Sequence, residues 1–128
     1  MRRLISMMLV IISMTMMSCA QAQSNNTSDE NFKLYETTNM WTFLKLDTRT
    51  GKIWQVQYSV EGPDYRFETA LNTKDFTSNS NAKAGRFELY KTQNIHNFIL
   101  LDKYDGRVWQ VQWGKAESRQ VLPILNYD

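Results

Sequence analysis

The sequence predicts an all-β fold in which two duplicated antiparallel meanders of three or four strands form one small eight-stranded barrel or sandwich. Three observations support this prediction. The chain contains an internal repeat, its apolar residues alternate with polar ones over short segments, and Asn, Asp and Gly separate those segments. No segment beyond the N-terminal region shows a clear helical pattern.

The repeat unit spans residues 32–58 and recurs at residues 87–113, and the two copies align without a gap at an offset of 55. Thirteen of the 27 aligned positions are identical, and several of the others are conservative, such as Lys52/Arg107 and Ile53/Val108. Such agreement indicates duplication of one supersecondary unit. We therefore expect one domain, residues 31–128, in which a pseudo-two-fold axis relates the repeats.

Each repeat is expected to form three strands, which lie at 32–37, 41–47 and 52–58 in the first copy. Asn39 and Asn94 suit the first turn, because an Asn side chain hydrogen-bonds its own backbone in turns. The second turn begins with Asp and ends with Gly, and Gly supplies the left-handed conformation that closes a longer hairpin.

A fourth strand is expected after each meander. Residues 65–71 alternate between apolar and polar side chains, and residues 120–125 are mostly apolar. Pro123 cannot donate to a strand ladder, so the second of these strands is expected at an edge. The linker 73–85 is the longest segment without a strand pattern.

The third strand of each repeat is expected to point its aromatic side chains into the core, because alternate residues share a face. That face carries Trp54, Val56 and Tyr58 and their equivalents Trp109, Val111 and Trp113, with Phe32, Leu34, Phe87 and Leu89 as the opposing core residues. We therefore expect Trp54 and Trp109 at equivalent buried positions.

The N-terminal region predicts export. Two arginines precede an apolar run at 4–17, which is shorter than the about 20 residues that a membrane-spanning helix needs. We interpret residues 1–22 as an export signal and the polar residues 23–30 as a disordered tether. The expected location is the periplasm or outer membrane as a lipoprotein, or the medium as a secreted protein.

Two processing routes stay open for this signal. Met16-Met17-Ser18-Cys19 resembles a lipobox, which makes Cys19 a candidate lipidation site. Ala20-Gln21-Ala22 instead fits cleavage that releases a free protein. Cys19 is the only cysteine, so neither route leaves a disulfide in the domain.

Charge and composition disfavour several classes of function. Without Arg2 and Arg3 the chain has 13 basic and 13 acidic side chains, so no basic surface predicts binding to nucleic acid. His96 is the only histidine, and no nucleophile elbow, phosphate loop or metal-ligand spacing is present in the sequence. We expect a non-enzymatic monomer without cofactor or metal, which contacts a membrane only through a lipid on Cys19.

Candidate partner-binding residues lie on the polar face of the third strands and in the linker. Paired amide and phenol groups suit recognition of a peptide backbone or of sugar hydroxyls. Trp41 follows a turn and its repeat counterpart is His96, so its ring is expected to be exposed. The candidates are Tyr35, Trp41, Gln55, Gln57, Tyr90, Gln110 and Gln112, with Phe76 and Gly85 in the linker.

Three functions fit these observations. The leading hypothesis is an exported envelope module that binds a protein or glycan partner. The second is an inhibitor of a secreted papain-like cysteine protease, similar in architecture to the staphostatins, with Ala84 and Gly85 of the linker entering the protease cleft in an extended conformation. The third is a structural envelope lipoprotein.

Two resemblances accompany these hypotheses. Residues 46–54, LDTRTGKIW, resemble the hairpin repeat of quinoprotein-type β-propeller blades, although two units are fewer than the four that a propeller needs. The resemblance therefore implies hairpin chemistry and no quinone site. The whole duplicated F-x-L-Y-x-T-x-N…F-x-x-L-D…G-x-x-W-Q-V-Q pattern resembles short exported bacterial proteins of uncharacterised function, so it implies no activity.

Overall fold

The computed structural model describes residues 30–128, which form two four-stranded antiparallel sheets. Sheet 1 consists of β1 (Phe32–Glu36), β2 (Thr42–Asp47), β3 (Ile53–Gln57) and β4 (Phe67–Asn72), and sheet 2 of β5 (Phe87–Lys91), β6 (Asn97–Asp102), β7 (Val108–Gln112) and β8 (Gln120–Pro123). Each sheet has its strands in chain order, and one 3-10 turn precedes its last strand. The all-β fold and the duplicated meanders are confirmed, and two separate sheets fit the sandwich alternative.

The turns have the chemistry that the sequence predicts. The backbone N–H of Trp41 donates to the side-chain oxygen of Asn39 at 2.9 Å, and that of His96 donates to Asn94 at 3.0 Å. Gly51 and Gly106 close the second turns at φ values of +81° and +83°. Pro123 ends β8 at the outer edge of sheet 2, as a residue without a backbone donor must.

Each sheet has a front and a back face, which the strand register defines because directly paired residues share a face. We call front the face that carries the repeated tryptophan. In sheet 1 the front carries Phe32, Leu34, Phe43, Trp54 and Val56, and in sheet 2 it carries Phe87, Leu89, Phe98, Trp109 and Val111. The back carries Tyr35, Leu44, Leu46, Ile53 and Gln55 in sheet 1, and Tyr90, Ile99, Leu101, Val108 and Gln110 in sheet 2.

The two sheets pack front to back. The front of sheet 2 is buried, with Phe87 1% and Trp109 5% exposed. It meets the back of sheet 1, where Leu44, Leu46 and Ile53 are fully buried. The backbone N–H of Leu89 donates to the Tyr35 phenol oxygen at 3.3 Å across this junction.

This packing corrects the predicted core. Phe32 and Leu34 are 48% and 57% exposed, and Trp54 is half-buried, so the front of sheet 1 lies at the surface. The prediction that Trp54 and Trp109 occupy equivalent buried positions is therefore wrong. The expected pseudo-two-fold axis is wrong for the same reason, because such an axis would bring equivalent faces together.

The linker between the sheets belongs to the core through Phe76. Its ring is 8% exposed and stacks on Trp109 at 4.3 Å between ring centroids. The linker is also tied to sheet 2, since Arg86 donates to the Ser80 carbonyl at 2.7 Å and Arg107 to the Phe76 carbonyl at 2.6 Å. The Phe76 ring therefore covers the junction between the two sheets at the end where the β2–β3 turn lies.

The predicted export signal, the Cys19 lipidation site and nearly all of the predicted tether lie outside residues 30–128. Among the residues that are described, no helix has the length and apolar character needed to cross a membrane.

Candidate functional site

A polar pocket of about 570 Å³ opens between the two sheets, at the end where the first turn of each repeat lies. The back of sheet 1 supplies Thr42, Gln55 and Gln57, and the opposite wall carries His96, Trp113 and Arg119. The pocket exists because the front of sheet 2 meets the back of sheet 1, which brings the aromatic end of one repeat against the amide row of the other.

Sheet 1 offers hydrogen-bonding groups on β2 and β3. Thr42 and Gln55 are buried at 3% and 5% exposure, whereas Gln57 is half-buried at the mouth. The Gln55 side-chain oxygen accepts the backbone N–H of Gly114 at 3.0 Å, which fixes the orientation of this amide. Gln57 lies two residues further along β3 on the same face, at the mouth of the pocket, so its amide is the one that a ligand can reach.

The opposite wall is aromatic. The His96 and Trp113 rings lie 5.5 Å apart between centroids, and the Trp113 side chain is 5% exposed. Within residues 30–128, the Trp113 indole Nε1 has no hydrogen-bond partner. A buried N–H without an acceptor costs about 1–3 kcal/mol, so an oxygen-bearing ligand or water at this position would stabilise the wall.

The pocket lining is cationic. Arg119 donates to the Gly114 carbonyl at 2.8 Å and to the Thr69 hydroxyl at 3.4 Å, and Lys115 is exposed at the rim. No carboxylate is among the lining residues that the structure describes. Hydroxyl, amide and cationic groups around one cavity suit a polar ligand that carries negative charge.

The structure separates the predicted binding residues into several places. Gln55 and Gln57 line the pocket, whereas their counterparts Gln110 and Gln112 lie half-buried on the back of sheet 2. Gln110 donates to the Asn97 side chain at 2.9 Å, and Gln112 accepts from Gln120 at 3.3 Å. The two glutamine pairs therefore differ in their surroundings, since one pair lines the pocket and the other lies on the back of sheet 2.

The two candidate tyrosines differ in the same way. Burial raises the pKa of the Tyr35 phenol, and the hydrogen bond from the Leu89 N–H and the nearby Lys33 reduce that rise only in part. Tyr90 lies on the back of sheet 2 and is 44% exposed. Trp41 is 36% exposed and packs against Tyr58 at 5.2 Å, which agrees with the exposed ring expected there.

The two linker candidates lie away from this pocket. Phe76 is part of the core, and Gly85 lines a separate cavity beside Arg86 and Tyr104. The Gly85 N–H donates to the Thr48 hydroxyl at 3.0 Å. Residues 76–79 and 84–85 form turns, so the linker is folded against the sheets.

Sequence reasoning missed three residues of the pocket wall. It correctly placed Trp113 in the core and His96 at the surface, but it did not predict that both residues line a pocket, and it did not consider Arg119. Each of them follows or precedes a strand at the same end of sheet 2, and that position was the available signal. The sequence could not show that this end meets the back of sheet 1.

Comparisons with known proteins add no relative to this description. No protein-family model, no curated protein and no solved structure matches the chain. Within residues 30–128, no group of three or more His, Cys, Asp or Glu side chains is placed to hold a metal ion.

Proposed function

We propose that this protein is an exported, non-enzymatic binding module whose pocket between the sheets takes an acidic glycan. The observation that carries this proposal is the composition of the pocket, which Gln57, Arg119 and Lys115 line together with Trp113. Amide groups suit sugar hydroxyls, an aromatic wall suits the apolar face of a sugar ring, and a guanidinium suits a carboxylate in a bidentate geometry.

A binding role fits this lining better than a catalytic one. Amides and hydroxyls recognise ligands but transfer protons poorly, and Thr38, Asn39, Thr42, Gln55 and Gln57 supply most of the polar lining. The ring of His96 packs on Trp113, where it shapes the wall of the pocket.

The test is calorimetric titration of the purified chain with a panel of neutral oligosaccharides and of oligosaccharides that contain uronic acids. We expect binding to the acidic members only. Arg119→Ala should weaken that binding by more than tenfold, because a hydrogen bond to a charged group contributes about 1.5–3 kcal/mol. Gln57→Ala should weaken it by about fivefold, which corresponds to roughly 1 kcal/mol.

Gln120→Ala is the matched control, since Gln120 is exposed on β8 outside the pocket lining. Its affinity should equal that of the wild type. Binding to neutral sugars alone, or acidic binding that Arg119→Ala leaves intact, would overturn the assignment of the pocket. Binding only to an acidic peptide would replace the glycan with a protein partner.

We further propose that the chain is exported as a lipoprotein, with lipid on Cys19. The lipobox-like segment before this cysteine supports the proposal. Labelling of cells with a fatty-acid probe should mark the wild type and not the Cys19→Ser variant. Equal absence of label in both chains would leave free secretion after Ala22.

A further inference from the structure

The front face of sheet 1 is a largely apolar surface that no part of residues 30–128 covers. Phe32, Leu34 and Tyr58 are 48%, 57% and 40% exposed, and Trp54 and Val56 are half-buried beside them. Contiguous exposed apolar patches of this kind on soluble domains commonly mark an interface. We propose that this face binds the back face of sheet 2 of a second copy of the chain, so that chains assemble head to tail.

The duplication identifies the partner. The front of sheet 1 is the repeat counterpart of the front of sheet 2, which is already buried against a sheet back within the chain. The matched pairs are Phe32 with Phe87, Leu34 with Leu89, Phe43 with Phe98, Trp54 with Trp109, Val56 with Val111 and Tyr58 with Trp113. Five of these six pairs are identical, so the uncovered surface has the composition of a known binding surface.

The complementary surface is also uncovered. The back of sheet 2 matches the back of sheet 1, with Tyr90 for Tyr35, Ile99 for Leu44, Leu101 for Leu46, Val108 for Ile53 and Gln110 for Gln55. All five residues on sheet 2 are half-buried or exposed, although their counterparts lie inside the junction. Each chain therefore carries one unused front and one unused back.

Polar contacts of the internal junction transfer to the proposed one. Tyr35 accepts the N–H of Leu89, and the same geometry would let Tyr90 accept the N–H of Leu34 from the next chain. Gln55 accepts the N–H of Gly114. Exchange of each residue for its repeat counterpart, a shift of 55 residues, turns this contact into one between chains. The Gln110 oxygen would then accept the backbone N–H of Ser59 in the next chain.

Charge remains complementary under the same shift. Lys33 and Glu88 form an ion pair at 3.2 Å inside the chain, and they occupy equivalent positions in the two repeats. The shift therefore places Glu88 of one chain beside Lys33 of the next. Opposite charges meet at both junctions although the order of the residues is reversed.

One substitution makes the external junction weaker than the internal one. Lys45 stands on the exposed front where Leu100 stands on the buried one. The Lys45 ammonium is 2.7 Å from a Glu68 carboxylate oxygen and 5.0 Å from the centroid of the Trp54 ring. Lys45 lies on the inner strand β2, between Leu34 and Trp54, so the proposed interface would bury this ion pair, and the cost of removing it from water lowers the affinity of the external junction.

The C-terminal tail supplies an aromatic ring at the matching place. Phe76 lies four residues after the last residue of β4 and covers Trp109. Tyr127 lies four residues after the last residue of β8 and is 89% exposed. In the assembly, Tyr127 of one chain would cover Trp54 of the next.

A head-to-tail interface repeats until it closes into a ring or extends as a fibre. Four-stranded sheets arranged around an axis close with about four to eight sheets. Two sheets per chain thus predict a closed ring of two to four copies, in place of the monomer expected from the sequence alone.

Native mass spectrometry of the purified full chain tests this proposal, because it counts chains whether or not lipid is attached. The wild type should give one closed species of two to four copies. Leu34→Glu, which damages the front of sheet 1, and Ile99→Glu, which damages the back of sheet 2, should each give monomers. An equimolar mixture of the two variants should give heterodimers and nothing larger, since one intact front and one intact back remain.

Lys83→Glu is the matched control, because Lys83 is exposed in the linker, outside the front of sheet 1 and the back of sheet 2, and its substitution should leave the ring intact. Circular dichroism should be the same for all chains. A monomeric wild type in the micromolar range would overturn the proposal. So would oligomers that Leu34→Glu disrupts and Ile99→Glu does not, because they indicate front-to-front pairing.

Discussion

Asp102 shows how a single residue fastens sheet 2 to the linker. Its carboxylate is fully buried and accepts two hydrogen bonds from Arg86, at 2.9 and 2.8 Å, and one from Arg107 at 3.1 Å. Arg86 is itself 7% exposed and also holds the Ser80 carbonyl. Removal of the negative charge would therefore leave a buried guanidinium with only the more distant carboxylate of Asp105, at 3.9 Å, as a counter-ion.

We expect Asp102→Asn to lower the free energy of unfolding by about 3–5 kcal/mol, the usual cost of breaking a buried ion pair from one side. Urea unfolding followed by tryptophan fluorescence measures the change. Asp64→Asn, at an exposed position in the β3–β4 loop, is the control and should match the wild type. A loss below 1 kcal/mol for Asp102→Asn would show that the ion pair does not anchor the linker.

The same carboxyl gives the protein an acid-sensitive stability. Burial raises the pKa of Asp102, but hydrogen bonds from Arg86, from the Tyr104 N–H and from Arg107 outweigh burial and hold that pKa below its usual value. A carboxyl with a lowered folded-state pKa stabilises the fold fully above the unfolded-state pKa of about 3.9, and this stabilisation is lost as the pH falls through the folded value.

Urea midpoints of the wild type should consequently decline below about pH 4. The decline should be shallower for Asp102→Asn, which has no carboxyl to protonate at this position. Parallel declines in the two chains would assign the acid sensitivity to other carboxylates, such as Glu88, whose pKa is also lowered by Lys103 and Lys33 despite its burial.

At the level of structural elements, the second turns of the two repeats are equivalent in sequence but not in surroundings. A Cβ at Gly51 would lie 2.8 Å from the Phe76 ring and 3.2 Å from the Phe87 ring. A Cβ at Gly106 would meet no described heavy atom within 4 Å. Both glycines have φ near +80°, so a substitution causes the same backbone strain at either position. The two positions differ only in the contacts that a new Cβ would make.

Gly106→Ala should cost about 1–2 kcal/mol for the left-handed backbone alone. Gly51→Ala should cost about 1–3 kcal/mol more, because the Phe76 ring is held by its stack on Trp109 and cannot move away freely. Differential scanning calorimetry of the two variants measures the difference. Equal melting temperatures would mean that Phe76 is not fixed at the junction.

The strands and turns could be predicted from the sequence because local signals specify them. The repeat, the Asn turns and the Gly at each hairpin end are local properties, and each is confirmed. The linker could not be placed in this way. Phe76 becomes a core residue only because Gly51 and Trp109 approach it from different sheets.

At the level of the whole molecule, the face that each sheet buries was beyond sequence reasoning. Both faces of β2 and β6 carry large apolar residues, so alternation alone cannot choose between them. Identical residues in the two repeats also suggest identical environments. Their environments differ, because sheet 1 buries its back face and sheet 2 buries its front face. The pocket was missed for the same reason, since its two walls come from non-equivalent faces.

The proposed assembly would repeat the pocket between chains. The counterparts of Gln55 and Gln57 are Gln110 and Gln112 on the back of sheet 2, and the counterparts of His96 and Trp113 are Trp41 and Tyr58 on the front of sheet 1. Head-to-tail contact would bring these two groups together. Of the candidates that the structure places outside the internal pocket, Gln110, Gln112 and Trp41 would thus line a second one.

Front-to-back packing of the two repeats is the central claim, and a matched pair of tryptophan substitutions tests it most directly. Urea unfolding of Trp54→Ala and Trp109→Ala should be compared in the Leu34→Glu background, where no assembly covers Trp54. We expect Trp109→Ala to cost about 3–5 kcal/mol, as truncation of a fully packed aromatic does. Trp54→Ala should cost about 1 kcal/mol, the central value for point substitutions, because its ring is only half-buried. Equal losses at the two positions would contradict front-to-back packing, because they would mean that both repeats bury the same face.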